Sequence, residues 1–311
     1  QAVAEPDPLP SWQPGPARSA IIEFVEAVAD PTSPDFVPPA ERIAVFDNDG
    51  TLWSEQPVYF QVLFAVDRIR ELAPQNPQWR EQEPFSSLLN GNMGELLAQG
   101  EGALVPLVMA SHADMSAEEF RATARHWLDQ ARHPRFDRPY DSLTYQPMLE
   151  MLEYLRANGF ETWIVSAGGT EFMRTFAEDA YGIPPQQVVG SSLSTRFEMT
   201  PTGPVIFREP QLDFIDDGPG KPVAINHHIG RRPIAAFGNS DGDLQMLQWT
   251  DAAPHRSLQV LIRHTDAARE YAYDRDSHIG RLDRALDEAS DQGWTVVDMA
   301  RDWSVVFPDN P

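Results

Sequence analysis

Apolar residues recur along the chain in two alternating patterns. Short β-rich runs occur at residues 43–47, 162–166, 233–239 and 258–264. Stretches with the helical spacing of apolar residues stand among them, at 17–30, 146–159, 170–182 and 243–249. Strands and helices that alternate at this spacing predict an α/β fold, with a Rossmann-like parallel sheet and helices on both of its faces.

A long stretch between the first two β-rich runs breaks this rhythm. Residues 53–145 carry several helical patterns and no convincing strand, which predicts an inserted, mainly helical cap domain. The remaining chain divides into a lead-in with a helix at 1–40 and an α/β core made of 41–52 together with 146–311. A further alternating run at 187–209 contains Thr-Gly-Pro and predicts a β-hairpin.

The composition of the chain limits the kinds of partner that it is expected to bind. The chain has 311 residues and a net charge of −23, from 47 acidic and 24 basic residues, so we expect neither nucleic acid nor an anionic membrane as a partner. It has no cysteine, which excludes disulfides, thiolate metal ligands and a cysteine nucleophile. No apolar run is long enough to span a membrane. The oligomeric state stays open.

The beginning of the chain bears on location. It starts at Gln1 rather than Met and continues as a Pro-rich lead-in without an apolar signal core. This pattern suggests a processed N-terminus and hence a periplasmic or secreted protein. A trimmed chain would look the same, so a cytoplasmic location also stays open.

Two carboxylates follow the first β-rich run directly. The apolar residues Ile43 to Phe46 lead into Asp47, Asn48 and Asp49. Asp and Asn are poor strand formers, and burying two like charges together is unfavourable unless a cation or a substrate needs them. In an open parallel sheet, ligands bind beyond the carboxyl ends of the strands. This position therefore predicts a site for a divalent cation and a phosphate.

The later elements are expected to bring further polar groups to the same edge of the sheet. These groups are Ser166 with the turn Ala167-Gly168-Gly169, then Lys221, then Asn239, Ser240, Asp241 and Asp243. Lys221 is the only lysine of the protein. Because a compact ammonium and a planar guanidinium are not interchangeable in a binding site, a single lysine among many arginines suggests a function, with chance as the alternative.

These residues resemble the four motifs of the haloacid dehalogenase-like hydrolases, particularly the phosphoserine-phosphatase-like branch. The motifs are Asp47-Asn48-Asp49-Gly50-Thr51, then Ser166, Lys221 and the turn Gly238 to Asp243. The resemblance covers roughly residues 43–265 and includes a helical cap at the insertion point used by that branch.

The resemblance implies a role for each position. Asp47 would be the nucleophile and Asp49 the general acid and base. The phosphate-binding set would be Ser166, Ala167, Gly168, Lys221 and Thr51. Mg²⁺ would be held by Asp47, the main-chain carbonyl of Asp49, and Asn239 and Asp243. The family has Asp where this chain has Asn239; an amide oxygen can also bind Mg²⁺, and register favours Asn239 over Asp241.

The expected activity is Mg²⁺-dependent hydrolysis of a small phosphorylated metabolite through an aspartyl-phosphate. A dehalogenase has no need of Asp49, and a phosphonate-cleaving relative needs a cap lysine that residues 53–145 lack. A phosphomutase keeps the whole set and is the main alternative. A catalytically silent binding protein would be expected to have lost one of these groups.

Residues just beyond the first motif leave the substrate open. Trp53, Glu55, Gln56 and Tyr59 enter the predicted cap. An aromatic ring with an acidic neighbour can bind a cationic leaving group, whereas aromatic residues at this spacing more often pack between cap and core.

Overall fold

A single mixed sheet organises the computed structural model, which describes residues 4–99 and 101–309. Its strands are β1 (Ile43–Phe46), β2 (Met115–Ser116), β3 (Glu161–Gly169), β4 (Val188–Thr200), β5 (Gly203–Phe214), β6 (Ala235–Gly238), β7 (Leu258–Thr265), β8 (Ala272–Tyr273) and β9 (Thr295–Asp298). Their spatial order is β2-β5-β4-β3-β1-β6-β7-β8, and β9 pairs with β7. Residues 1–3 of the predicted lead-in and 310–311 of the predicted core lie outside the described residues.

Most of the sheet is parallel. The strands β4, β3, β1, β6, β7 and β9 are parallel neighbours in this order. β5 pairs antiparallel with β4 and forms the predicted hairpin, while β2 and β8 add short antiparallel edges. The predicted α/β fold class is therefore confirmed.

The described residues also form helices, some around the sheet and some within the predicted cap segment. They are α1 (Pro16–Ala29), α2 (Phe60–Leu72), α3 (Phe85–Leu89), α4 (Met93–Ala98), α5 (Leu104–His112), α6 (Ala117–Gln130), α7 (Gln146–Ala157), α8 (Thr170–Arg174), α9 (Ala177–Tyr181), α10 (Gly220–His228), α11 (Leu244–Asp251), α12 (Arg284–Gln292) and α13 (Met299–Asp302). In β1, Ala44 and Phe46 join one hydrophobic cluster, while Ile43 and Val45 join the other. Burial on both faces explains why this strand is apolar throughout.

The predicted cap segment has its own packing. Helices α2 to α6 lie within residues 53–145. Six buried side chains form a separate hydrophobic cluster there: Val66, Ile69, Trp79, Leu88, Leu96 and Leu107. The two-residue strand β2 joins this segment to the core, because Met115 pairs with Arg208 of β5. The predicted domain boundaries stay a prediction.

Among the described residues, no helix combines the length and apolar character needed to cross a membrane.

Candidate active site

The loop after β1 places the two predicted catalytic carboxylates. The N–H of Asp47 donates to the Phe237 carbonyl at 2.9 Å, which continues the pairing of β1 with β6 by one residue. The chain then turns through Gly50, whose φ of +78° lies in the left-handed region that favours glycine. A side chain at Gly50 would also collide with Asn239 and Glu55. The Gly of this motif is therefore required both by backbone conformation and by the close approach of two polar side chains.

Lys221, near the start of α10, lies buried between two carboxylates. Its Nζ donates to Asp243 Oδ1 at 2.6 Å, to Asp47 Oδ1 at 3.1 Å and to the Val165 carbonyl at 3.1 Å. Only 1% of the residue is exposed. All three ammonium protons thus have partners, and the charge is directed at the predicted nucleophile.

Asp243 holds both this lysine and the turn that follows β6. Its Oδ2 accepts from the main-chain N–H groups of Asn239 and Ser240 at 2.9 and 3.1 Å, while its Oδ1 accepts from Lys221. Both oxygens are therefore occupied by donors of the protein. The predicted role of Asp243 as a metal ligand stays a prediction, and its contacts favour the positioning of Lys221.

Burial and the neighbouring charges change the pKa values of Asp47 and Lys221. It raises the pKa of Asp47 well above the usual value; Asp243 acts in the same direction and Lys221 opposes both. Burial by itself would lower the pKa of Lys221, but the charges of Asp243 and Asp47 outweigh it and raise that pKa. The lysine therefore stays an ammonium in the folded protein.

Asp49 has the properties of a proton-transfer group. Burial raises its pKa to about 6, although the hydrogen bond from Trp53 and the charge of Lys221 lower it. Trp53 Nε1 donates to Asp49 Oδ1 at 2.8 Å and fixes the carboxyl group. A carboxyl with this pKa can both hold and release a proton near neutral pH.

Trp53 and Glu55, which could either bind a cation or pack between cap and core, have partners inside the protein. Trp53 is fully buried and stacks on Phe176, with ring centroids 4.1 Å apart. Glu55 Oε1 accepts from Asn239 Nδ2 and from the Tyr273 hydroxyl, both at 2.8 Å. These contacts favour packing for Trp53 and a fixed, buried position for Glu55.

The predicted phosphate-binding residues lie in two environments. Ser166, Ala167, Gly168 and Lys221 line the same cavity as Asp47 and Asp49. Ser166 Oγ accepts from the Gly168 N–H at 3.1 Å, which orders the turn. Thr51 is fully buried away from this cavity, and its hydroxyl donates to Asn239 Oδ1 at 3.0 Å. The structure thus gives Thr51 a position supporting Asn239, and its contact with phosphate stays a prediction.

The donors available to a cation are oxygens. Within residues 4–99 and 101–309, no three His, Cys, Asp or Glu side chains converge as a metal site. Three of the predicted donors remain: the Asp47 carboxylate, the main-chain carbonyl of Asp49, which accepts no hydrogen bond from a described residue, and the amide oxygen of Asn239, which accepts from Thr51. One carboxylate, one carbonyl and one amide, completed by water, fit Mg²⁺.

The turn after β6 also bears on the choice between Asn239 and Asp241. Asp241 Oδ1 accepts from the main-chain N–H groups of Asp283 and Ala285, both at 2.9 Å, at the beginning of α12. Asp241 therefore fastens α12 to the turn. Asp241 nevertheless lines the cavity and Asn239 is not among its lining residues, so the choice of Asn239 as the side-chain ligand stays a prediction from the register of the motif.

A buried pair that the sequence did not suggest supports the catalytic loop. His264 Nδ1 lies 2.9 Å from Glu270 Oε2, and His264 Nε2 lies 2.8 Å from the Gly50 carbonyl. The two contacts hold the imidazole ring from both sides. The ring in turn helps to fix Gly50 beside Asp49.

A further carboxyl group near Lys221 was also missed. Asp216 is fully buried, and neither of its oxygens has a hydrogen-bond partner among the described residues. Burial raises its pKa to about 8, against the opposing effect of Lys221. At neutral pH this group is mostly protonated, so it does not compete with Asp47 and Asp243 for the ammonium.

The comparisons with known proteins agree with this arrangement. The sequence profile of the haloacid dehalogenase-like hydrolases matches residues 44–248. The chain therefore belongs to the haloacid dehalogenase-like hydrolase family. No curated protein is similar enough to the chain to count as a match.

Solved structures are similar to this chain at low sequence identity, and the first two described here share its fold. A conserved protein of unknown function from Anaerococcus prevotii is 17% identical, with a TM-score of 0.55, over 89% of this chain and 90% of that one. A protein of unknown function from Bordetella pertussis is 16% identical, with a TM-score of 0.50, over 83% and 99%. A phosphoserine phosphohydrolase-like protein from Francisella tularensis is 16% identical, with a TM-score of 0.44, over 84% and 95%.

Proposed function

We propose that this hydrolase is a Mg²⁺-dependent phosphatase that cleaves small phosphomonoesters through an aspartyl-phosphate on Asp47. One observation carries the proposal: Asp47 and Asp49 line one cavity with Ser166, and the buried Lys221 ammonium lies 3.1 Å from Asp47 Oδ1. Nucleophile, proton donor and phosphate-binding groups are thus assembled around one space.

In the first step, Asp47 attacks phosphorus and the bond from phosphorus to the leaving oxygen breaks. Asp49 gives its proton to that oxygen, so the product leaves as a neutral alcohol. Lys221 balances charge on the phosphoryl oxygens, and Ser166 with its turn offers further hydrogen-bond donors to them.

In the second step, the ionised Asp49 takes a proton from a water molecule. The resulting hydroxide attacks phosphorus, the bond to Asp47 breaks, and inorganic phosphate is released. The same carboxyl group serves both steps because its pKa of about 6 lies near neutral pH.

The proposed cation would be held by Asp47, the Asp49 carbonyl and Asn239. When bound, Mg²⁺ would screen the carboxylates from the phosphate dianion and stabilise charge in the transition state.

A screen of small phosphomonoesters tests the reaction class. We expect release of inorganic phosphate in the presence of Mg²⁺ and loss of that activity in a chelator, with recovery when Mg²⁺ is restored. Release from a single substrate into water also separates a phosphatase from a phosphomutase. Thermal unfolding with and without Mg²⁺ gives a readout independent of turnover, because a bound ion stabilises the folded state. Undiminished turnover in chelator would contradict the proposed role of the metal.

Asp49→Asn tests the proton-transfer assignment. The amide keeps the shape of the side chain and can still accept from Trp53, but it cannot donate a carboxyl proton. We expect kcat to fall by roughly a hundredfold or more, the usual contribution of a general acid or base. Steady-state kinetics against Asp291→Asn, an exposed residue of α12, checks this. An Asp49→Asn enzyme as fast as the wild type would reject the assignment.

A further inference from the structure

One side of the active-site cavity is aliphatic. The cavity has a volume of about 420 Å³, which lies within the range for small-molecule sites. Its aliphatic lining comes from α5, from the β4–β5 hairpin and from the residue after that hairpin: Val105, Val108, Met109, Leu193, Leu212 and Ile215. Ile215 is 58% exposed and Leu212 and Val105 more than a third exposed. A leaving group with an aliphatic body would cover this surface.

Arg208 of β5 lines the same cavity and is 94% buried, with 6% of its surface exposed. Its Nε donates to the His112 carbonyl at 2.9 Å, and its Cζ lies 4.3 Å from the centroid of the Phe120 ring. Its two terminal nitrogens donate to no described residue, and neither is sealed from solvent. The planar end of the guanidinium is therefore fixed in orientation and still has donors to offer.

The carboxylate whose charge acts on Arg208 is Glu171, and it is already paired. Glu171 pairs with Arg121 at 2.9 Å and with Arg174 at 3.1 Å. Arg208 makes no ion pair with a described carboxylate, although a guanidinium remains protonated when buried. Burying an unpaired charge is unfavourable, so this arrangement calls for an anion from outside the chain.

The other cations on the cavity wall are accounted for within the protein. Lys221 pairs with Asp47 and Asp243, and Arg281 lies 3.2 Å from Asp283. Burial and the neighbouring Arg208 lower the pKa of His112 to about 3, so that ring is neutral. Lys221 serves the phosphoryl group in the proposed mechanism, so the buried cation left for the rest of the ligand is Arg208.

We propose that Arg208 binds a carboxylate at the far end of an aliphatic leaving group, so that the substrates are phosphomonoesters of aliphatic hydroxy acids. This inference rests on the proposed phosphatase function. A carboxylate matches the charge of one guanidinium and the spacing of its two free nitrogens, which can form paired hydrogen bonds. A second phosphate would bring up to two negative charges to a site with one positive charge.

Matched substrate series test the proposal. We would measure kcat/KM for n-alkyl phosphates, for ω-carboxyalkyl phosphates and for alkane-diol bisphosphates of the same chain lengths. The wild type is expected to prefer the carboxylated member at one length by roughly 10- to 100-fold, as for a hydrogen-bonded charge, and mainly through KM. Arg208→Gln should reduce this ratio to near one, and Arg208→Lys should leave an intermediate value because the paired geometry is lost.

The outcomes separate the two proposals. Arg196→Gln, on the exposed part of the same hairpin, is the matched control and should keep the wild-type ratio. Hydrolysis of alkyl phosphates without a preference for carboxylate, or a preference retained in Arg208→Gln, would overturn the role of Arg208 and leave the phosphatase intact. A preference for bisphosphates would overturn the choice of carboxylate. If no member of the three series is hydrolysed, the proposed function itself fails. If Arg208→Gln does not fold, the wild-type substrate series and Arg208→Lys test the role of Arg208 instead.

Discussion

Replacing Asp47 with Asn is expected to abolish hydrolysis of every phosphomonoester that the wild-type protein cleaves. The amide has nearly the shape of the carboxylate and can still accept from Lys221, but it is not a nucleophile toward phosphorus. Loss of a nucleophile lowers kcat by a factor on the order of 10⁶ in a well-studied hydrolase. The folded state should survive, because Lys221 keeps its 2.6 Å contact with Asp243.

Acid-quenched samples can show the chemistry directly. Wild-type protein mixed with substrate should carry the mass of one phosphoryl group on the peptide that contains Asp47, and Asp47→Asn should not. Asp291→Asn, at an exposed position of α12, serves as the control and should keep both label and turnover. If Asp47→Asn retained activity within tenfold of the wild type, a different group would have to be the nucleophile.

Replacing Lys221 with Met should strongly reduce the free energy of unfolding. Methionine preserves much of the buried volume but leaves Asp47 and Asp243 without their cation. Removing one partner of a buried ion pair costs about 3–5 kcal/mol, because the remaining charge is desolvated and unpaired. Urea unfolding followed by fluorescence measures the change. A lower midpoint concentration of urea with an unchanged slope would show that the free energy of unfolding has changed, rather than the surface exposed on unfolding.

Two comparisons make this measurement specific. Arg196→Met removes an ion pair whose arginine side chain is 48% exposed and should change the free energy of unfolding by less than about 1 kcal/mol. In the double variant Lys221→Met with Asp243→Asn, part of the loss should return, because one unpaired charge is gone. If Lys221→Met were as stable as Arg196→Met, the lysine would not be neutralising buried carboxylates in the native state.

The catalytic centre was predictable because its information is local. A buried strand that ends in Asp47 and Asp49 is visible in a few consecutive residues, and the rule that ligands lie at the carboxyl ends of parallel strands brings Ser166 and Asn239 to the same place. The structure shows these groups at that edge, with Lys221 between Asp47 and Asp243. Residue type, strand order and the family resemblance were sufficient to bring these side chains together, and their catalytic roles stay a prediction.

Helix α5 was not predicted, although it forms a wall of the cavity. Its sequence, Leu104 to His112, is apolar on nearly every side and contains Pro106, so it lacks the alternation of polar and apolar residues that marks a surface helix. At residues 170–182 the prediction gave a helix that was too long. One helical pattern there corresponds to two short helices, α8 and α9, because the backbone at Phe176 leaves the helical region with a φ of −127°.

Arg208 and the His264–Glu270 pair escaped prediction for a different reason. Arg208 reaches its partner, the His112 carbonyl, across 96 positions, and His264 reaches the Gly50 carbonyl across 214. Neither pairing leaves a spacing that can be read in the sequence, since each depends on the register of a strand and on how distant segments pack. The part of the site that we propose for substrate recognition is therefore less visible in the sequence than the part that we propose for the chemistry.

The burial of the single lysine also determines how the protein can be handled. Lys221 is 1% exposed and its ε-amino group is bound to two carboxylates, so an amine-directed reagent should not modify it in the folded state. Amine-directed attachment to a surface or a dye would therefore spare the cavity. Unfolding releases the ε-amino group, so a label acquired on Lys221 records that the molecule has unfolded.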